Sequence, residues 1–427
     1  MIDHLNRISH HNGRVLTTAQ ALGGASPAIV VSLGGLVGQQ LATNPALSTL
    51  PISVFNLGMA IGTLPAAYIM RRYGRRAGYT IGAILGTVGG LVAAGGIYKE
   101  IFYLFCLGTL IAGFYASYVQ SYRFAVTDGA PDAIKPRLIS WVMLGGLGAA
   151  IIGPQTVIWT RDALVTAPFA GSFIAQSILA FLALPVIWFL RKPLEPQLTN
   201  ASATKQVGQA KQAGLADQSG QTSPSDLKIA PPRSLKEIAK QPKFIVAVTS
   251  GVVSYGLMSF VMTAAPIAMV GCGHTVGEAA LGIQWHVLAM FAPSFVTGRL
   301  IQRFGTLAVT SFGLILLALS AVVGLSGLGL THFWLALVLL GVGWNFGFVG
   351  ATTMVTACHR PNERNKVQAL NDFLVFGSVA ASSFSAGKLL SVAGWETLNY
   401  WVFPAVTVAF ALMAWQKFVA SPSTEAA

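Results

Sequence analysis

Charge is the scarcest commodity in this sequence. Asp, Glu, Lys and Arg make up 10% of its 427 residues, where soluble domains carry about 25%. A chain so poor in charge cannot clothe a water-facing surface, so an ordinary soluble enzyme is excluded. Cysteine is scarce too. Cys106, Cys272 and Cys358 stand far apart with no C-x-x-C spacing, so neither a disulfide framework nor a thiolate metal site is encoded. They read as small apolar residues in or beside helices. No G-x-x-x-x-G-K-[ST] phosphate loop occurs. The run Gly341-Val-Gly343-Trp-Asn-Phe-Gly347 has the glycines of a dinucleotide turn, but it lies inside an apolar stretch with no strand before it. His4, His10 and His11 crowd the N-terminus at irregular spacing, without acids or cysteines to complete a metal site. No nucleophile–base arrangement is evident. The reading is therefore not an enzyme, with no cofactor and no metal.

What is abundant is hydrocarbon. Hydrophobic residues are 54% of the chain. They fall in runs of about 20, the length that crosses a bilayer. Six spans are expected at roughly Thr17–Leu41, Ala46–Met70, Ala77–Tyr98, Ile101–Phe124, Arg137–Thr160 and Val165–Leu190. Six more follow at roughly Phe244–Val270, Ala279–Gln302, Thr306–Leu328, Phe333–Ala357, Val367–Leu390 and Tyr400–Ala420. The organisation is a polar tail (1–16), a first bundle (17–190), a polar linker (191–243), a second bundle (244–420) and a short tail (421–427). The linker is rich in Gln, Ser, Ala and Lys and reads as a flexible tether. At its end, Ser234 and Glu237 have capping-box spacing and predict a short surface helix over 234–240. Glycines recur every fourth residue at Gly34 and Gly38, Gly58 and Gly62, and Gly82, Gly86 and Gly90. In lipid that spacing lets helix backbones approach closely.

A net charge of +13 would suit nucleic acid if it were clustered on a soluble face. Here it reports topology instead. With twelve spans and the N-terminus inside, all but Lys99, Arg161 and Lys388 of the 27 basic residues fall on one side, which the positive-inside rule makes cytoplasmic. Nucleic acid is excluded as a partner, and the lipid bilayer takes its place.

The densest basic cluster is Arg71-Arg72-Tyr73-Gly74-Arg75-Arg76, between two apolar runs. It reads as a tight hairpin held at the inner face by its charge. A weaker copy, Gly298-Arg-Leu-Ile-Gln302-Arg303-Phe-Gly305, lies 231 residues on. The loops 131–137 and 361–367 repeat at an offset of 230. The chain is built twice.

The first turn resembles the signature of the major facilitator superfamily after its second helix. Arg72, Gly74, Arg75 and Arg76 match; Ala67 replaces a glycine and Arg71 an acid. Gly298, Arg303 and Gly305 match in the second copy. The resemblance implies an all-α membrane fold of two pseudo-symmetric six-helix bundles. It also implies a monomeric secondary transporter in a bacterial inner membrane, moving a small neutral or weakly charged organic solute by alternating access, with protons as a candidate coupling ion. The signature's missing acid normally faces the start of span 11. Asp372, the one carboxylate clearly inside a span, suggests an inverted latch with Arg71 at the inner gate. A plain structural partner for an arginine competes with a proton-coupling role for Asp372.

The resemblance further implies a cavity lined by spans 1, 4, 7 and 10. Candidate substrate contacts are Tyr115 and Tyr118 in span 4, Tyr255 in span 7, and Trp344 and Asn345 in span 10. Asn56 in span 2 and Gln284 and Trp285 in span 8 complete the set. Rings plus amides suit a flat or amphipathic solute; helix–helix packing is the competing role for each. Arg123 falls at the inner end of span 4, and His286 reads as a hydrogen-bonded neutral side chain. Gly153-Pro154 in span 5 is similar to a motif of proton-linked exporters. Thr109 stands where many exporters carry an arginine, which disfavours drug efflux. Efflux of amphipathic toxins and a non-transporting sensor are the rival readings. The stretch around 350–373 looks similar to bacterial transporters, some relatives of which import riboflavin, and the aromatic lining permits that.

Overall fold

The computed structural model describes residues 2–131, 134–191, 233–360 and 363–420. Among them every regular element is helical. The first half comprises α1 (Ile2–Gly23), α2 (Ala25–Leu41), α3 (Leu50–Tyr73), α4 (Arg75–Tyr98), α5 (Phe102–Gln120), α6 (Tyr122–Ala125), α7 (Lys135–Thr160) and α8 (Ala170–Trp188). After α9 (Leu235–Ala239) the second half comprises α10 (Pro242–Gly271), α11 (Val276–Phe291), α12 (Ser294–Phe304), α13 (Thr306–Leu325), α14 (Leu330–Thr356), α15 (Arg364–Tyr400) and α16 (Val402–Ala420). Among the described residues ten helices are long and apolar enough to cross a membrane, and eleven where the bent pair α11–α12 is taken as one span. The apolar stretch Val402–Gln416 of α16 is shorter than a full span. The 42° bend between α11 and α12 falls at Pro293, which has no N–H to offer the helix ladder.

The two basic turns have the same backbone. Gly74 lies at φ 87°, ψ 162° and Gly305 at φ 84°, ψ 155°. Only glycine adopts that region without strain, so the sequence repeat is a repeat of geometry. Within the first half the glycine stripe of α4 seats aromatic rings. A Cβ on Gly82 would overlap the Tyr118 ring, and one on Gly86 the Tyr115 ring. That is how α4 and α5 come close.

Two differences from the sequence reading have physical causes. Residues 1–16, expected as a polar tail, are helical from Ile2. Ser9 and Asn12 are buried, and the Asn12 amide forms paired hydrogen bonds with the backbone of Arg191, Nδ2 to its O (2.9 Å) and Oδ1 from its N (3.0 Å). Polar side chains thus dock this helix, where hydropathy reports only the lack of an apolar run. The linker residues 192–232 and the tail 421–427 lie outside the described residues. The capping box does form: Ser234 Oγ accepts from Glu237 N, Glu237 returns a bond to Ser234 N, and α9 follows.

The halves meet through α3 with α15, α7 with α11, and α2 with α10 and α11. The hydrogen bonds and close contacts that join them sit at the end away from the Gly74 and Gly305 turns. Thr49 Oγ1 donates to Phe384 O, Asn56 to Ser383, and Gln155 to Gln284, while Gly35 packs on Ile267. Toward the turns the halves part around a cavity. The structure is closed at one end and open at the other.

Candidate functional site

The cavity is lined by α1, α2, α3, α5, α6 and α7 from the first half and α10, α11 and α15 from the second. Its empty space is about 1210 Å³ with the open mouth and its solvent included. Its walls are mostly apolar: Phe55, Met59, Met258, Met262 and Phe291 among others. Methionine's soft, rotatable side chain conforms to flat ligands and packs well against rings.

Polar groups fall in two places. Gln120 and Arg123 lie toward the open mouth, Asn56 and Ser259 toward the closed end. Arg123 is the one charged residue of the lining; its guanidinium lies over the Phe124 ring, 4.9 Å from the centroid. Among the described residues the Gln120 amide nitrogen donates only to the Met59 sulfur, at 3.9 Å.

Tyr255 presents the aromatic wall. Its ring meets Trp344 (5.3 Å), Phe348 (5.0 Å) and Phe376 (5.9 Å) edge-on, and Trp344 stacks on Phe348. The cluster holds the tyrosine ring rigid at the cavity surface.

Of the residues expected from sequence, Asn56 and Tyr255 line the cavity, and Trp344 backs Tyr255 from behind. The others sit elsewhere. Tyr115 and Tyr118 are buried in the first half against the α4 glycines, because the face they share points away from the cavity. Gln284 accepts a hydrogen bond from Gln155 Nε2 at 3.0 Å and so joins the halves. Trp285 is exposed on the outside of α11. Asn345 is fully buried and saturated: Nδ2 donates to Met290 O (2.7 Å) and Ser294 Oγ (2.6 Å), and Oδ1 accepts from Thr297 (2.6 Å). It braces the α11–α12 bend, where Pro293 leaves backbone groups in need of partners. His286 is likewise structural, its Nδ1 2.7 Å from Leu337 O.

The gate candidates also divide. Arg75 pairs with Asp128 at 2.8 Å, tying the first turn to the loop after α6. Arg72 donates to the Tyr68 hydroxyl at 3.0 Å, and Arg303 lies over the Phe304 ring. Arg71 is exposed and, among the described residues, makes no ion pair in this open arrangement. Asp372 accepts from Asn371 Nδ2 at 3.1 Å, and the cation whose field it feels is Arg123. Arg123 lines the cleft itself, and Arg71 does not.

Two cavity-end residues carry no sequence signal. Ser259 and Ser383 join across 124 residues of chain with their oxygens 2.8 Å apart. Serine is ordinary in lipid-embedded helices, and only the packing of α10 on α15 makes this pair special.

Known proteins bear on the same arrangement. Over 394 residues the chain is 58% identical to the riboflavin transporter RfnT of Brucella anthropi, covering 92% of each. It is 29% identical to the MFS-type transporter YdeG of Bacillus subtilis, over 90% of this chain and 87% of that one. Among solved structures, the nucleoside transporter NupG superposes with a TM-score of 0.66 at 13% identity, covering 95% of this chain and 98% of NupG. A D-xylose–proton symporter gives 0.68 at 14%, covering 94% and 97%; both likenesses concern fold alone. Residues 15–291 match the model of the Major Facilitator Superfamily. With two halves parting around a central cavity and this much shared sequence, the chain belongs to the Major Facilitator Superfamily and is a multi-pass membrane transporter, not an enzyme.

Proposed function

We propose that this transporter carries riboflavin across a bacterial inner membrane. The observation that carries the reading is the 58% identity, over 92% of both chains, to a riboflavin transporter. The cavity chemistry supports it. An isoalloxazine ring is flat, broad and apolar over most of its faces, which suits the methionines, Phe55, Phe291 and Tyr255. Its carbonyl edge and its polyol need a few well-placed hydrogen-bonding groups, and Gln120, Arg123, Asn56 and Ser259 offer them.

The turn end faces the cytoplasm by the positive-inside rule, which makes this conformation inward-open. Transport then requires the halves to rock about the cavity. In the inward-closed state Arg123 and Asp372 come together across the mouth, a role expected from sequence for Arg71. A charge pair suits that mouth because water solvates both partners while it is open.

The test is uptake of riboflavin into proteoliposomes holding the purified protein, followed by flavin fluorescence, with and without an imposed pH gradient. Uptake that saturates with riboflavin concentration is expected. Stimulation by the gradient adds proton coupling; no flavin uptake above empty liposomes overturns the reading.

A further inference from the structure

The closed end of the cavity holds a hydrogen-bond relay centred on Ser383. Ser383 Oγ lies 2.9 Å from Val379 O, 2.8 Å from Ser259 Oγ and 2.8 Å from Asn56 Nδ2. The Ser383 hydroxyl donates to Val379 O, which Ser259 reaches only at 3.4 Å. Its oxygen accepts from Ser259 and from the amide nitrogen of Asn56.

Through its nitrogen the amide is held by Ser383, which turns its oxygen the other way. Asn56 is 8% exposed, and what is exposed faces the cavity. Its Oδ1 accepts from nothing among the described residues and is not one of the sealed buried atoms. The opposite end presents the reverse polarity. Arg123 offers only donors, and the Gln120 amide nitrogen makes no stronger bond than one to sulfur.

Resting on the flavin reading above, we infer that the cavity is polarised, and that Ser383 is a positioning residue which aims the Asn56 carbonyl at a donor-bearing polyol, while Arg123 and Gln120 receive the carbonyl edge of the ring. The ribityl hydroxyls supply donors for the closed end. The ring's two carbonyls supply acceptors for the open end. Ser383 itself does not line the cavity; it acts through Asn56.

Lumiflavin, which keeps the ring and replaces the ribityl chain by a methyl group, separates the two ends. Equilibrium binding of riboflavin and lumiflavin is measured by flavin fluorescence on the purified wild-type protein and on Ser383→Ala and Ser383→Thr. Wild type should bind both. Ser383→Ala frees the amide to flip and should weaken riboflavin roughly fivefold to tenfold, the size of one neutral hydrogen bond, while lumiflavin affinity holds. Unchanged lumiflavin binding also certifies that the variant is folded. Ser383→Thr keeps the hydroxyl and should restore riboflavin affinity.

Equal losses for both ligands, no loss for either, or a larger loss for lumiflavin overturns the assignment. So does a wild-type protein that binds riboflavin but not lumiflavin, since the ring would then have no anchor of its own. Wild-type protein that binds no riboflavin removes the flavin reading itself, and the two failures are told apart by which protein fails.

Discussion

The two ends of the cavity are held by different chemistry. The closed end is sealed by neutral hydrogen bonds, Asn56 to Ser383 and Gln155 to Gln284, in surroundings where a lone charge would be costly. The open end carries opposite charges, Arg123 and Asp372, on opposite halves and unjoined. A transporter must make and break both ends in turn. Neutral bonds are weak enough to break in a dry seal. Charges cost little to separate where water enters, and they attract across the gap when it narrows. Each end thus uses the interaction whose price of rupture is lowest in its own surroundings.

The largest effect tests the charged end. Asp372→Arg places two cations across the mouth. At ~4 Å and an effective dielectric near 20, like charges repel by about 4 kcal/mol, enough to bar closure. Riboflavin uptake should fall by up to about three orders of magnitude. Exchanging the charges, Arg123→Asp with Asp372→Arg, should recover part of the rate. Arg71→Ala, at the position expected from sequence to face Asp372, should change uptake little. A collapse of uptake in Arg71→Ala, or no recovery in the exchanged protein, would break the contrast between the two ends.

The neutral end should respond less. Gln284→Leu removes a cross-half hydrogen bond and leaves the Gln155 amide without its 3.0 Å partner. An unmade buried bond costs about 1–3 kcal/mol. The balance should move roughly tenfold toward the outward-open state. A cysteine at Thr49, probed with an impermeant thiol reagent, reads that shift. Unaltered labelling would mean that apolar packing such as Gly35 on Ile267 holds the seal by itself.

The repeated turns show how much could be read in the sequence. Gly74 and Gly305 were legible because a positive φ demands a residue type, and an equal offset exposes the copy. The spans were legible because lipid imposes length and apolarity. Asn56 and Tyr255 were found because polar and aromatic groups at membrane depth are conspicuous. Asn345, equally conspicuous, braces a bend instead, and sequence does not say which way a side chain on a helix faces. The relay at Ser383 was invisible, since it consists of common residues whose meaning is their distance from one another. The two turns also differ. Arg75 follows Gly74 and pairs with Asp128; Thr306 follows Gly305. Alanine at either glycine meets nothing within 4 Å, so the cost is backbone strain alone, roughly 1–2 kcal/mol. Thermal unfolding of Gly74→Ala and Gly305→Ala should therefore drop by similar amounts of a few degrees. A much larger drop at Gly74 would show that strain there also dislodges the Arg75–Asp128 pair.

The smallest expected effect is a flat line, and it concerns a charge that does not move. Glu363, with its side chain 1% exposed, accepts from Arg233 N (2.8 Å), Arg233 Nε (3.0 Å), Arg233 Nη2 (2.7 Å) and Arg360 N (2.9 Å). It ties the end of the linker to the loop before α15. The Arg233 guanidinium, aided by the two backbone N–H groups and opposed by desolvation, holds this carboxyl well below the usual carboxylate range. A depressed value places the stabilisation above the unfolded pKa of about 4.3. It is lost only as the pH falls through the still lower folded value. The gap in unfolding temperature between wild type and Glu363→Gln should thus be constant from pH 8 to pH 5 and narrow only in stronger acid. The clamp then stays shut across any pH gradient the membrane sustains, unlike the pair at the mouth, which must part in every cycle. A gap that shrinks between pH 8 and pH 6 would mean that the linker anchor itself takes up a proton, and the division between moving and fixed charges would fail.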